Sequence, residues 1–155
     1  MSLFQFLEDC AAYRRQATTL YHACIIYCHT SMYSSQGINL GPAQLQDIDD
    51  AIEAILAIAR DMIREGRCAE GSFLIFPLFL AGFAASSTNL KNCVTQSLAV
   101  MAGFFVGHNI GIFKQTLLEI YQEQEDMKMI AVSGLGVDWK EYMSKRNCRV
   151  INFAF

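Results

Sequence analysis

Charge is what this sequence has least of. Asp, Glu, Lys and Arg make up 17% of its 155 residues, against about a quarter in an ordinary globular chain. The net charge of −3 supplies no basic excess for gripping a phosphate backbone, so direct nucleic-acid binding is not expected. Two short basic clusters, "YRRQ" and "SKRNCR", read as solvated patches. Six cysteines are present (Cys10, Cys24, Cys28, Cys68, Cys93 and Cys148), but none forms a Cys-x-x-Cys pair, which argues against a structural zinc site. "SGLGVDW" holds Gly-x-Gly without the third glycine or the strand–helix setting of a dinucleotide site, and no phosphate loop or nucleophile elbow occurs. Neither a metal nor a cofactor is expected. The start "MSLFQFLEDC" carries acids where an export signal carries positive charge, so the reading is an intracellular chain, nuclear or cytoplasmic, with reduced cysteines that act as small hydrophobes.

A stretch long enough to cross a bilayer is missing too. The longest apolar run, Phe73 to Ala85, contains no charge and no hydrogen-bonding side chain. As a helix it covers roughly 20 Å, against roughly 30 Å of hydrocarbon. Arg67 and Glu70 close it on one side and "SSTNLKN" on the other. A buried central helix over about 72–86 is therefore expected, with Pro77 marking a bend or a late start and close packing at Ala81–Gly82.

What the sequence does have is helical periodicity. From about 3 to 33, residues such as Phe6, Leu7, Ala17, Leu20, Tyr21, Cys24, Ile25 and Cys28 recur at three- and four-residue intervals, as in one long helix or two joined near Arg14–Arg15. "SSQGINLGP" breaks the pattern. Pro42 opens the next helix, with Asp47, Asp49 and Asp50 expected near its positive end, a stripe from Ile48 to Ile63, and Gly66 as its stop. Ser87 or Thr88 caps another helix, and a further one covers about 110–124, with a short helix near 138–145. No strand pattern is long enough for a sheet. The expected class is all-α: a single domain, 1–155, built as a bundle of roughly five to seven helices around the central apolar one. So low a charge content also points to apolar surface that a second copy or another protein would cover.

Histidine is scarce, so His22, His29 and His108 are the natural candidates for chemistry. His22 and His29 lie seven apart, on one helix face, while Cys24 and Cys28 point to the opposite side. A rise of about 10 Å between the two histidines rules out joint metal ligation on a straight helix. They could line one cavity with Tyr33, Tyr13 or Arg15, or be partly buried, hydrogen-bonded residues. His108 sits where Gly103, Gly107 and Gly111 recur every four residues, which reads as a corner with close backbone approach. Glu119, Glu123, Glu125 and Asp126 read as a solvated face.

The run "FLIFPLFLAGFAAS" resembles the hydrophobic–Pro–Leu–Phe–hydrophobic–Ala–Gly segment of the fungal-specific transcription factor regulatory domain. "RRQATTLYHACIIYCH", "QLQDIDDAIEAILAIA", "LLEIYQEQE" and "VDWKEYMSKRNCRVINFAF" are similar, in order, to other pieces of that domain. The resemblance spans nearly the whole chain and corresponds to the last third or half of a regulatory domain, so covering helices are expected to be missing. The cysteine spacing is unlike the zinc binuclear cluster, and there is no basic linker, so DNA binding as in that family is not expected. The resemblance implies a stand-alone regulatory or ligand-sensing domain that works by protein interaction. An alternative is a repurposed cofactor-independent cyclase or isomerase of fungal secondary metabolism. It would fold an apolar polyketide or terpenoid in a helical cavity, with His22, His29, Tyr33, Arg15 and His108 as the groups to test.

Overall fold

The computed structural model describes residues 3–32, 40–105 and 110–129, together with 140, 142 and 144. Among the described residues every regular element is helical and there is no strand. The first helix, α1 (Leu3–Thr30), is continuous for 28 residues and does not divide at Arg14–Arg15. No glycine or proline interrupts it. Its inward stripe is narrow: Thr19, Ala23, Ile26 and Thr30 are buried. Phe6, Leu7, Tyr13 and Tyr21 face out, as do Cys24 and Cys28, so much of the periodicity that marks this helix lies on its solvent side.

Helix α2 (Pro42–Arg64) starts where proline at the first position costs least, because that N–H would have no helical partner. The expected role of Asp47, Asp49 and Asp50 at its positive end does not hold, since its first turn contains no acid and the dipole effect fades beyond that turn. Gln44 acts there instead, its Oε1 accepting the Gly41 N–H at 2.8 Å. Ile48, Ala51, Ile52, Ile55, Leu56, Ala59 and Met62 form the buried stripe. Gly66, at φ +69°, takes the left-handed turn that ends the helix, and the Arg67 N–H returns to the Met62 carbonyl at 2.9 Å.

The apolar run becomes two elements. Cys68–Leu74 forms 3-10 turns with a kink at Gly71, and helix α3 follows from Ile75 to Ala84. Pro77 lies in the first turn of α3, so the late start holds, and the ring displaces no helical hydrogen bond. Every α3 residue except the half-buried Phe76 is buried. The helix packs against α1, α2, α4 (Thr88–Ala102) and α5 (Ile110–Met129). Ser87 caps α4, its Oγ accepting the Leu90 N–H at 3.2 Å. Leu90, Val94, Leu98 and Met101 then bury one side of α4, and Phe113, Leu117 and Ile120 one side of α5. Phe79 meets Phe113 with ring centroids 5.0 Å apart. No helix among the described residues is long and apolar enough to cross a membrane.

Close approach occurs at Gly82 and Gly71, away from the expected corner. A Cβ on Gly111 would enter open space, while one on Gly82 would stand 2.7 Å from Leu117 Cδ1 and 2.9 Å from both Val94 Cγ1 and the Tyr121 hydroxyl. A Cβ on Gly71 would collide with the Met101 methyl. Gly107, the end of the chain with Asp138–Trp139, and most of the expected 138–145 helix lie outside the described residues, although Lys140, Tyr142 and Ser144 are helical.

Two outcomes follow from this packing. Gly82→Ala overfills the α3–α4–α5 junction and should lower unfolding free energy by about 1–3 kcal/mol, read by urea denaturation. Burial, then the carboxylates of Asp50 and Glu53, raise the Asp49 carboxyl above its usual range, opposed by a hydrogen bond from Ser86. A folded state that holds this proton more tightly is favoured below the ordinary carboxylate range and loses that advantage as pH rises through it. Asp49→Asn should therefore gain up to about 0.5 kcal/mol at neutral pH, and the gain should vanish below about pH 4. An equal gain at both pH values would refute this electrostatic origin.

Candidate functional site

Five residue positions stand out in the sequence for chemistry, and the structure scatters those it describes. Arg15 reaches from α1 to the end of α2, where its Nη1 pairs with Glu65 at 2.9 Å. His29, in the last turn of α1, places Nε2 3.5 Å from the Asp47 carboxylate. His22 lies between them along α1 and packs edge-on against Tyr21, with centroids 5.2 Å apart. Its Nδ1 is buried and finds no hydrogen-bond partner, and the same holds for Thr19 Oγ1 one turn earlier. Tyr33 and His108 lie outside the described residues.

Arg15 and Tyr13 do share a cleft of about 270 Å³ with Asp9, Gln16, Met62 and Phe73, but neither His22 nor His29 lines it. Its two guanidinium groups are already engaged. Arg15 holds Glu65, and Arg67 forks onto Glu70, with Nη2 2.6 Å from one carboxylate oxygen. That hydrogen bond holds the Glu70 carboxyl below its usual range. Cations and carboxylates thus neutralise each other across the cleft, which ties α1 to the α2–α3 connection. Exposed pairs of this kind are screened by water and add little to stability. No group of three or more His, Cys, Asp or Glu side chains among the described residues could hold a metal ion.

A second polar cluster lies deeper and has no motif to announce it in the sequence. Where α3 ends, the Gly82 carbonyl has no further helical turn to bond. The Tyr121 hydroxyl of α5 donates to it at 3.0 Å. Burial raises the phenol's pKa, so it stays a donor at any physiological pH. Lys91 of α4 sits over the Tyr121 ring at 4.6 Å and donates from Nζ to Gln124 Oε1 at 2.7 Å. Lys91 is only 8% exposed, a depth at which an ammonium needs such partners. The cluster satisfies the end of the central helix and fixes α4 and α5 against it. Its one sequence trace is helical spacing: Lys91 falls on the stripe of Leu90 and Val94, and Gln124 one turn from Ile120.

The cluster is thus a structural device, and its strength is measurable. Tyr121→Phe removes the bond to Gly82 and keeps the ring under Lys91. It should cost about 1 kcal/mol in urea denaturation, and wild-type stability in the variant would show that the cap contributes nothing.

These geometries describe a helical scaffold with paired charges and a dense centre. The model of the fungal specific transcription factor domain matches residues 5–154. No curated protein and no solved structure matches the chain. The match takes in all five helices with the apolar α3 at their middle, and this chain belongs to the fungal specific transcription factor domain family.

Proposed function

We propose that this chain is a regulatory domain that acts by contacting other proteins, in the nucleus or cytoplasm, without chemistry or direct DNA contact of its own. The family assignment supports the regulatory role, and the acidic net charge of −3 fits a part played away from the phosphate backbone. The observation that carries the reading is how apolar surface is distributed. Phe79, Phe83, Leu78 and Leu80 fill the centre with almost no exposure, while Phe6, Leu7, Tyr13 and Tyr21 stand in solvent. A cyclase or isomerase working on an apolar substrate needs an enclosed apolar chamber with donors aimed into it. The described cleft is open to solvent, and it mixes Asp9, Arg15, Arg67 and Glu70 with Met62 and Phe73. A dense centre and an apolar exterior favour recognition of another protein.

The test fuses the chain to a heterologous DNA-binding module in a fungal host carrying a matched reporter. The expected result is a several-fold change in reporter output that the module alone does not give. Unchanged output, together with failure to co-purify with any family member, would overturn the reading.

A further inference from the structure

The solvent face of α1 carries a pattern of exposed side chains. Counting outward from Ala17, a stripe of uncharged exposed residues falls at four, three and four positions in both directions: Tyr13, Cys10 and Phe6 one way, Tyr21, Cys24 and Cys28 the other, with Leu7 and Tyr27 exposed on its flanks. At 100° per residue these positions make a single stripe within about 40° of Ala17, and its 11-residue repeat drifts only about 20° over each interval. Ala17 lies near the midpoint of Leu3–Thr30. The inner residues of the stripe match about Ala17, tyrosine with tyrosine and cysteine with cysteine, which suits an antiparallel pairing of the helix with its own copy.

We propose that two copies of this chain associate through α1, antiparallel, about a two-fold axis at Ala17. The proposal rests on the protein-interaction reading above and names the partner as a second copy. Across that axis Ala17 meets itself, Tyr13 faces Tyr21, Cys10 faces Cys24, and Phe6 faces Cys28. Large residues alternate with small ones, so rings of one copy fill the spaces beside cysteines of the other, and alanine at the centre lets the axes approach to the near end of the usual 8–10 Å. No acid meets an acid along the stripe. Arg14, on its flank, comes level with the Tyr21 ring of the second copy, as a cation–π contact needs.

The surface is large enough. Phe6, Tyr13 and Tyr21 are 49%, 73% and 64% exposed, which amounts to on the order of 400 Å² of ring surface per copy. With the small residues between them, spread over about 33 Å of helix, two copies bury about 1,000 Å², the lower bound for a specific interface.

Sedimentation equilibrium of the intact chain at micromolar concentration should give a dimer, and Ala17→Glu, which sets two carboxylates together on the axis, should give a monomer of unchanged helical content. Mixing Ala17→Glu with Ala17→Lys should restore the dimer. Copper-phenanthroline oxidation in air, followed by peptide mass mapping, should find Cys10 linked to Cys24. Cys10→Ser or Cys24→Ser alone should abolish that link, and an equal mixture of the two should recover it. A monomeric wild type, a dimer that persists in Ala17→Glu, or Cys10 linked to Cys10 would each overturn the pairing. Reporter output separates the two levels of inference: an effect from a monomeric chain sinks the α1 dimer and leaves the regulatory reading standing, whereas a dimer with neither reporter effect nor a co-purifying family member does the reverse.

Discussion

A helix with no polar side chain persists in water only when protein covers it on all sides, and α3 meets this demand by drawing on four other helices. Each neighbour contributes one apolar stripe: Ile52 and Ile55 from α2, Val94 and Leu98 from α4, Phe113 and Leu117 from α5, Ile26 from α1. Each large side chain so buried contributes about 1.5–3 kcal/mol, set against the entropy of ordering it. Glycine at 82 lets α4 and α5 close in where the helix is most crowded. The remaining difficulty is polar, because a buried helix end presents carbonyls that water cannot reach. Tyr121 answers it at Gly82, and Lys91 and Gln124 hold Tyr121 in place.

Burial is shared unequally among the neighbours. Helix α2 turns a broad apolar face inward, whereas α1, the longest helix, turns in a narrow stripe that includes two threonines. Thr30 satisfies itself by donating to the Ile26 carbonyl at 2.7 Å, and the Arg15–Glu65 ion pair and the His29–Asp47 contact fasten α1 to α2 at two levels. The outer side of α1 is therefore released from the demands of the core.

How much of this could be read beforehand depended on how local the cause was. Pro42, Gly66, Ser87 and Pro77 act through their own backbone and one neighbouring turn, so the boundaries they set were legible in the sequence. Gly82 was legible as well, because a glycine inside a strongly apolar helix implies a close neighbour. The orientation of α1 was not. A helix with apolar residues on both faces shows periodicity without saying which face turns inward, and the solution depends on Thr19 and Ala23 matching α2 and α3. The Lys91–Tyr121–Gln124 cluster was illegible for a related reason, since Lys91 and Gln124 meet across 33 positions of sequence. Among the site residues, the ion pair of Arg15 depends on where α2 ends, and no spacing within α1 could show it.

The hydrogen bond between Tyr121 and Gly82 also governs when the fold can exist. It joins positions 39 apart, and the stripe of α5 that covers α3 lies equally far downstream. A growing chain thus releases its most apolar segment with α1 and α2 beside it, before α5 has followed. Through that interval α3 has incomplete cover, the condition under which nascent chains aggregate or require a chaperone. The cover of the central helix is thus completed only when α5 arrives, although that helix stands at the heart of the finished protein.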